Sequence, residues 1–474
     1  MQKSNLPICV DLDGTILKTD TLWESLTNLI KTRPWKLVTL LVSLCRGKAA
    51  FKHQLAQIQP LAISLLPYNE KLLEWLQSQY QQGTVLVLVT ASNQAIAQEI
   101  AQHLGIFSKV LASDQSTNLI GEAKCAKLLA LYGNQGFDYI GNSWQDMPVW
   151  LHARKAFLVD PPAGLEQRVR AEVEVGAIFQ EAIPPLYAVL KALRPHQWSK
   201  NILLLIPLLA AHQFSSTLHL WSVLLAFGAF SLAASATYVL NDGIDLEADR
   251  SHPNKRKRPF ASGELPLWML PVLVLLLLAS SLALSWPLPY NFKRILTAYW
   301  IANLAYSLWL KKLPILDVIV LAGFYILRLF AGGIATGVSI SFWLTTFSMF
   351  FFISLAFAKR INEVYLIRED MQAMQRGYRN TDTESLSILG TCSGYISVVV
   401  LALYINNPDV TRLYAHPELL WLWCPAILYW ISRLWLFIRR KELICSDPLL
   451  FSITDKASYM VALTCAGIAS WAAQ

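Results

Sequence analysis

Charge is scarce in this chain. Only 15% of its 474 residues are Asp, Glu, Lys or Arg, against 54% hydrophobic ones, which is too apolar for an ordinary soluble protein. Cysteine is sparse too. Seven Cys, at 9, 45, 125, 392, 424, 445 and 465, show no C-x-x-C spacing. That excludes a disulfide framework and a thiolate zinc site, and it fits a reducing cytosolic side. A secretory leader is not expected either, because "MQKSNLPICVDLDGT" has a short apolar run and an immediate acidic pair. The 40 bases against 32 acids, a net charge of +8, could suggest nucleic acid. Their placement argues for no nucleic acid.

The apolarity is uneven. Residues 1–185 read as a mixed soluble sequence, whereas nine runs of roughly spanning length, about 20 residues, follow. They lie near 199–213, 219–240, 265–286, 293–310, 315–334, 340–358, 385–405, 418–438 and 450–472. Loops on one side carry Arg250, Lys255, Arg256, Lys257, Arg258, Lys311, Lys312, Lys359, Arg360, Arg368, Arg376, Arg379, Arg439, Arg440 and Lys441. The other side has only Lys293, Arg294 and Arg412. The positive-inside bias therefore predicts a multi-pass protein of the cytoplasmic (inner) membrane, with membrane lipids around it and residues 1–185 facing the cytoplasm.

The first 160 residues alternate short β-rich runs, "PICV", "TVLVLV" and "FDYI", with helical stretches, the pattern of an α/β fold with parallel strands. At the strand ends lie Asp11, Asp13, Thr90 and "GNSWQD", with Lys124 opening a helix. This set resembles the haloacid dehalogenase superfamily of phosphotransferases, expected over residues 1–160 with a helical cap at about 16–82. The resemblance implies a phosphatase. Asp11 would attack phosphorus, and Asp13 would protonate the leaving oxygen and then activate water. Thr90 and Lys124 would grip the phosphate, and Asp11, the backbone of Asp13, Asn142 and Asp146 would hold Mg²⁺. Asn142 stands where the family usually has Asp, which lowers the charge on the metal. In the cap, Arg33, Trp35, Lys36 and Arg46 flank an apolar run, so it reads either as a core helix or as a membrane-surface contact. Residues 161–186, with prolines at both ends, read as a linker.

The stretch "NDGIDLEADRSHPNKRKRP" follows the second apolar run. In a helix, Asp242, Asp245 and Asp249 (i, i+3, i+7) share one face, and Asn241 pairs with Asp245 at i, i+4. Carboxylates at a membrane interface suit Mg²⁺ and a pyrophosphate; the alternative is a solvated helix end. This pattern, with "RPFASGEL", "RPHQWSKN" and "YSLWLKK", resembles the UbiA-type intramembrane prenyltransferases over residues 187–474, an all-α membrane domain of about nine helices. "FYILRLFAGGIATGVSISFWL" and "FAKRINEV" resemble the decaprenyl-phosphate phosphoribosyltransferase branch. Ordinary prenyltransferases usually carry a second acidic cluster where this chain has Lys359, Arg360 and Glu363.

The resemblance implies Mg²⁺-dependent transfer of 5-phosphoribosyl from phosphoribosyl pyrophosphate to a polyprenyl phosphate, the soluble domain then removing the 5-phosphate. Lys255, Arg256, Lys257 and Arg258 are candidates for the donor's 5-phosphate. Arg194, Lys200, Asn241, Tyr306, Lys311, Lys359, Arg360 and Glu363 are candidates around the pyrophosphate and lipid phosphate. Arg328, a charge inside an apolar span, is a candidate by its position. Two other readings stand beside this one: prenyl transfer from a prenyl pyrophosphate to an aromatic acceptor, and a cation transporter, which the lack of acids in mid-span disfavours. Homo-oligomer formation is left open.

Overall fold

The computed structural model describes residues 6–45, 47–115, 117–181, 183–213, 216–366, 377–412, 414–442, 448, 451 and 454–474. Arg46, Arg368 and Arg376, counted above among the bases, lie outside the described residues. The chain forms two compact units, Met1–Arg194 with Tyr238–Leu276, and Pro195–Thr237 with Leu277–Gln474.

The first unit is built on β1 (Ile8–Val10), β2 (Leu86–Asn93), β3 (Lys109–Ser113), β4 (Asp138–Gly141), β5 (Ala156–Val159) and β6 (Val175–Phe179). Their order is β3-β2-β1-β4-β5-β6, every neighbouring pair parallel. β1, β4 and β5 are buried throughout, as strands covered on both faces must be. Side chains alternate between the faces. Ile8 and Val10 join Leu72, Leu76, Ile96 and Ile100 on one side, while Cys9 joins Val87, Leu128, Tyr139 and Trp150 on the other. Pairing of Val10 with both Leu88 and Ile140 aligns the carboxyl ends, so Asp11 lies beside the end of β4.

Two sequence-based boundaries shift. Residues 161–186, expected as a linker, instead supply the helix Leu165–Glu172, which buries Leu165 and Val169, and the edge strand β6. β6 is only partly buried and shows no alternation that would announce a strand. The cap, expected at about 16–82, consists of the helices Thr21–Thr32, Leu37–Leu44 and Lys48–Ile58, joined around Leu29, Leu40 and Leu55. The helix Glu70–Gln81 belongs to the sheet, since Leu72 and Leu76 enter its core.

Tyr238–Leu276 folds with this sheet rather than apart from it. Arg250 meets Glu24 of the cap through two hydrogen bonds, 2.6 and 3.0 Å, with both side chains at most 5% exposed. Asn28 donates to Glu247 at 3.0 Å, and Lys191 to Glu264 at 2.9 Å. Gly263 closes the contact. A Cβ there would come within 2.8 Å of the Lys18 carbonyl oxygen, and its φ of +79° also favours glycine.

The second unit is helical. Among the described residues, Thr217–Ile244, Leu316–Thr336, Phe342–Tyr365, Thr383–Ile405 and Pro417–Arg439 are long and apolar enough to cross a bilayer. Tyr290–Leu308 and Lys456–Ala472 match further expected spans, and Met269–Leu284 matches the one at the boundary of the units. The expected first span, 199–213, is different: a 3-10 stretch, Pro195–Leu205, leads into the short helix Ile206–Ala210. Pro207 fits only a first helical turn, so the helix restarts there. The Leu204 carbonyl then lies where a Cβ on Gly332 would be only 2.1 Å away, so only glycine admits this approach.

The buried Arg250–Glu24 pair gives a direct test. Arg250→Ala leaves Glu24 an uncompensated buried charge, and a loss of about 3–5 kcal/mol is expected in unfolding of the detergent-solubilised chain. Glu24→Leu combined with Arg250→Leu is expected to recover much of it; a single variant with unchanged stability would show the pair to be ornamental.

Candidate active sites

At the carboxyl ends of β1, β2 and β4 lies a cavity of about 270 Å³, lined by Asp11, Asp13, Ser92, Lys124, Asn142 and Asp146, with Leu22, Lys52 and Leu55 from the cap. The buried Lys124 ammonium donates to Asp11 at 2.9 Å, to the Tyr139 hydroxyl oxygen at 2.8 Å and to Asp146 at 3.4 Å. Asp13 accepts from the Thr21 amide at 2.8 Å and from the Ser92 hydroxyl. Burial pushes Asp11 up to about 6, with Lys124 opposing. Burial and then the neighbouring Asp20 push Asp13 up to about 7. Burial alone would lower Lys124, but Asp11 and Asp146 raise it above its ordinary range.

Other expected residues are placed differently. Thr90 is fully buried in β2, where its hydroxyl accepts from the Ser92 amide at 3.0 Å, and it does not line the cavity. β2 runs on to Asn93, so Ser92 takes the place at the cavity expected of Thr90. Asp146 has donors on both oxygens: Tyr139 and Lys124 on one, the amides of Asn142 and Ser143 and the Ser143 hydroxyl on the other. Its visible task is to hold Lys124 and shape the 142–146 turn. The Asn142 amide packs on Gly14, where a Cβ would come within 2.1 Å of it and φ is +73°. Ser92 and Tyr139 were missed by sequence reasoning. The alternation of "FDYI" does place Tyr139 inside, which was a usable signal.

In the segment 241–258, the helix Thr217–Ile244 ends one residue before Asp245, and the helix Leu246–Ser251 begins one residue after it. Helical hydrogen bonding continues across this break, with the Asp245 amide on Asn241 and the Asp249 amide on Asp245, both at 2.8 Å. Asp242, 1% exposed, accepts from Arg194 and, at 3.3 Å, from Arg258, which also reaches Asp249 at 2.5 Å. Burial raises Asp249, with Arg258 opposing. Arg194 adopts φ +52°, a strained value for a residue other than glycine, and its guanidinium lies 5.3 Å from the Tyr238 ring centre. Asn241 Oδ1 and Asp242 Oδ2 are buried and have no hydrogen-bond partner among the described residues. Lys255, Arg256 and Lys257 are exposed in a 3-10 turn, so only Arg258 of the four expected bases turns onto the carboxylates. Among the described residues no three acidic, His or Cys side chains gather as a metal cluster. Asp242 and Asp249 are paired with arginine.

Two buried arginines of the second unit are held differently from expectation. Arg360, 1% exposed, donates to Asp317 at 2.5 Å, to Glu363 at 2.6 Å and to the Tyr306 hydroxyl at 2.6 Å; Tyr378 also donates to Asp317. Arg328 donates to Asn201, the Phe324 carbonyl and the Tyr299 hydroxyl at 2.6–2.9 Å. Arg360 is expected around the phosphates and Arg328 is a candidate by its position in a span; the structure gives both protein partners that fix helices to one another. Asp317, absent from the expected site residues, is the reason for Arg360. Lys200 and Lys359 are half-buried, and Lys311 is buried.

A pH dependence follows from Asp11 and Asp13. An unfolded Asp releases its proton near pH 3.9, whereas these two retain theirs to about 6 and 7. Across that window the folded chain binds more protons than the unfolded one, so stability falls as pH rises. Lys124 titrates far above it. In chelating buffer the thermal midpoint is expected to decline from about pH 4 to about pH 7, and Asp13→Asn to flatten that slope. A midpoint that climbs over the window would contradict the assignment.

Residues 202–444 match the UbiA prenyltransferase family, and residues 8–150 match the haloacid dehalogenase-like hydrolases. The protein y4nM of Sinorhizobium fredii is 35% identical over 460 residues, covering 96% of this chain and 89% of that one. The decaprenyl-phosphate phosphoribosyltransferase of Mycobacterium tuberculosis is 35% identical over 225 residues, covering 47% of this chain and 74% of its own. A solved UbiA homolog from Archaeoglobus fulgidus, bound to DMAPP and Mg²⁺, covers 60% of this chain and 99% of its own at 19% identity and a TM-score of 0.45. The chain belongs to the UbiA prenyltransferase family, as an integral membrane enzyme that carries a haloacid dehalogenase-like phosphatase domain ahead of its transferase segment.

Proposed function

We propose that the chain transfers 5-phosphoribosyl from phosphoribosyl pyrophosphate to a polyprenyl phosphate, releasing pyrophosphate, and that its phosphatase domain then removes the 5-phosphate. One observation carries the first step. Asn241 Oδ1 and Asp242 Oδ2 are buried acceptors without a partner among the described residues, beside Arg194 and Arg258. Such acceptors are costly, and oxygen ligands of this kind fit Mg²⁺. The relatives named as decaprenyl-phosphate phosphoribosyltransferases support the choice of substrates.

Asn241 and Asp242 would hold the ion, and Asp245 and Asp249 would turn toward it on binding, since the three acids are not gathered among the described residues. When bound, it neutralises charge on the departing pyrophosphate. Arg194 and Arg258, which neutralise the acids in this structure, would exchange Asp242 for phosphate oxygens, a geometry that guanidinium suits. The exposed Lys255, Arg256 and Lys257 can reach the 5-phosphate. The lipid phosphate is already ionised, so attack on the ribose carbon needs no general base. In the phosphatase cavity Asp11 attacks phosphorus while Lys124 steadies it. Asp13 gives its proton to the leaving ribose oxygen, then takes one from the water that releases phosphate. Asp11, the Asp13 carbonyl and Asn142 would hold Mg²⁺ there, and Asp146 would orient Lys124. The basic loops support placing both sites on the cytoplasmic side of the inner membrane.

The test is product analysis with labelled phosphoribosyl pyrophosphate and a polyprenyl phosphate. The intact chain is expected to yield lipid-linked ribose, and Asp11→Asn to stop at the 5-phosphate. Asp242→Asn, or chelation, is expected to cut transfer about a hundredfold or more. Dephosphorylated product from Asp11→Asn would overturn the coupled reading. Product from prenyl pyrophosphate and an aromatic acid would replace it by aromatic prenyl transfer.

A further inference from the structure

The cap carries an apolar face that the first unit leaves uncovered. In the turn and helix from Pro34 to Leu44, only Leu40 and Ser43 are buried. Trp35, Val38, Leu41 and Val42 are each at least 60% exposed. Trp35, Val38 and Val42 recur at i, i+3 and i+7, which puts them on one side. Ordinary surfaces scatter such residues singly; a contiguous group marks a contact.

Charge indicates what it contacts. Between Glu24 and Glu70 the sequence contains no acid, but it has Lys31, Arg33, Lys36, Arg46, Lys48 and Lys52. Lys31 and Arg33 are exposed at the start of the apolar face. An apolar face bordered by bases and led by Trp has the chemistry of a helix lying in an anionic bilayer surface. A second copy fits worse, because a two-fold contact would set an acid-free basic segment against itself.

The tether supplies the second argument. The helix Thr21–Thr32, which leads straight into this face, is clamped through Glu24 and Asn28 to Arg250 and Glu247. Arg250 lies six residues beyond Ile244, the end of a helix apolar enough to span a bilayer. At helical rise that is about 9 Å of chain. The root of the cap is thus held close to where the chain leaves the membrane. Beneath the face, Leu40 packs with Leu29 and Leu55, and Leu55 lines the phosphatase cavity.

We propose that Trp35, Val38, Leu41 and Val42 dock the cap into the surface of an anionic phospholipid bilayer, so that the phosphatase takes its substrate from that surface. The docking stands on the cap itself; its consequence for turnover rests on the proposed lipid-linked substrate.

The test uses the full chain in nanodiscs of phosphatidylcholine with phosphatidylglycerol. Nitroxide labels are placed at Val38→Cys, at Val42→Cys and, as a control, at the exposed Gln77→Cys, in a chain whose native cysteines are replaced. Labels at 38 and 42 are expected to collide more with oxygen and less with a water-soluble nickel chelate than the label at 77. Labels as open to the chelate as the control overturn the docking. Labels shielded from both probes also overturn it, since they report a protein contact. In vesicles, Val38→Asp with Leu41→Asp and Val42→Asp is expected to slow dephosphorylation of the lipid-linked phosphate about tenfold, with hydrolysis of p-nitrophenyl phosphate unchanged. Lipid turnover at the parent rate would overturn the surface-capture consequence. If the parent chain makes no phosphorylated lipid, the proposed function fails, while the labels still decide the docking.

Discussion

A carboxylate taken out of water must have a cation fixed against it, or it gives up its charge. Desolvation costs several kcal/mol per ion even after relaxation. Among the described residues, the contacts that meet that condition include Asp11 and Asp146 around Lys124, Asp242 and Asp249 around Arg258 and Arg194, Glu24 on Arg250, and Asp317 on Arg360. Asp13 meets the alternative, keeping its proton to about pH 7. The first two sets are the candidate chemistry and the last two hold elements together. What separates them is spare capacity. Both Glu24 oxygens are taken by Arg250, whereas Asp242 Oδ2 and its neighbour Asn241 Oδ1 are buried without a partner among the described residues.

How much of this was legible depended on distance along the chain. Asp11 with Asp13, and Asp242 with Asp249, are local patterns, and short spacing along the chain keeps such groups near one another: Arg258 reaches both Asp242 and Asp249. The alternation of apolar strands predicted the parallel sheet for the same reason. Arg328 reads from sequence as a charge inside a span and Arg360 as a base at a span's exit, but their partners lie far off in sequence: Asn201 and Tyr299 for one, Asp317 and Tyr306 for the other. Without those partners, a buried guanidinium reads as a ligand for phosphate. Thr90 failed for a smaller reason: β2 continues past it, so the side chain two residues on reaches the cavity instead.

The unit boundary matters for how the two activities relate. The family match at 202–444 would suggest a clean division after the phosphatase. The structure instead folds Tyr238–Leu276, which carries the acidic and basic segment, with the sheet domain. A buried bidentate ion pair, an Asn–Glu hydrogen bond and a glycine against the Lys18 carbonyl hold it there. Deleting the phosphatase would therefore expose Arg250 and Glu247 and remove part of the packing of the acidic and basic segment. Loss of transfer in a truncated chain would not show that transfer needs phosphatase chemistry.

Asn142 bears on the proposed dephosphorylation through charge. With Asp13 protonated, Asp11 and Asp146 carry two negative charges against one on Lys124. An Asp at 142 would add a third carboxylate at a cavity that must admit a phosphate dianion. The neutral amide lessens that repulsion, at the cost of weaker attraction for a divalent ion. It also suits its position on Gly14, where the close approach of the Asn142 amide leaves no room for a Cβ. In the proposed phosphatase reaction, the amide would move the balance from holding metal to admitting phosphate. Asp11 still has Lys124 at 2.9 Å, so the amide at 142 leaves the proposed nucleophile and its cation in place.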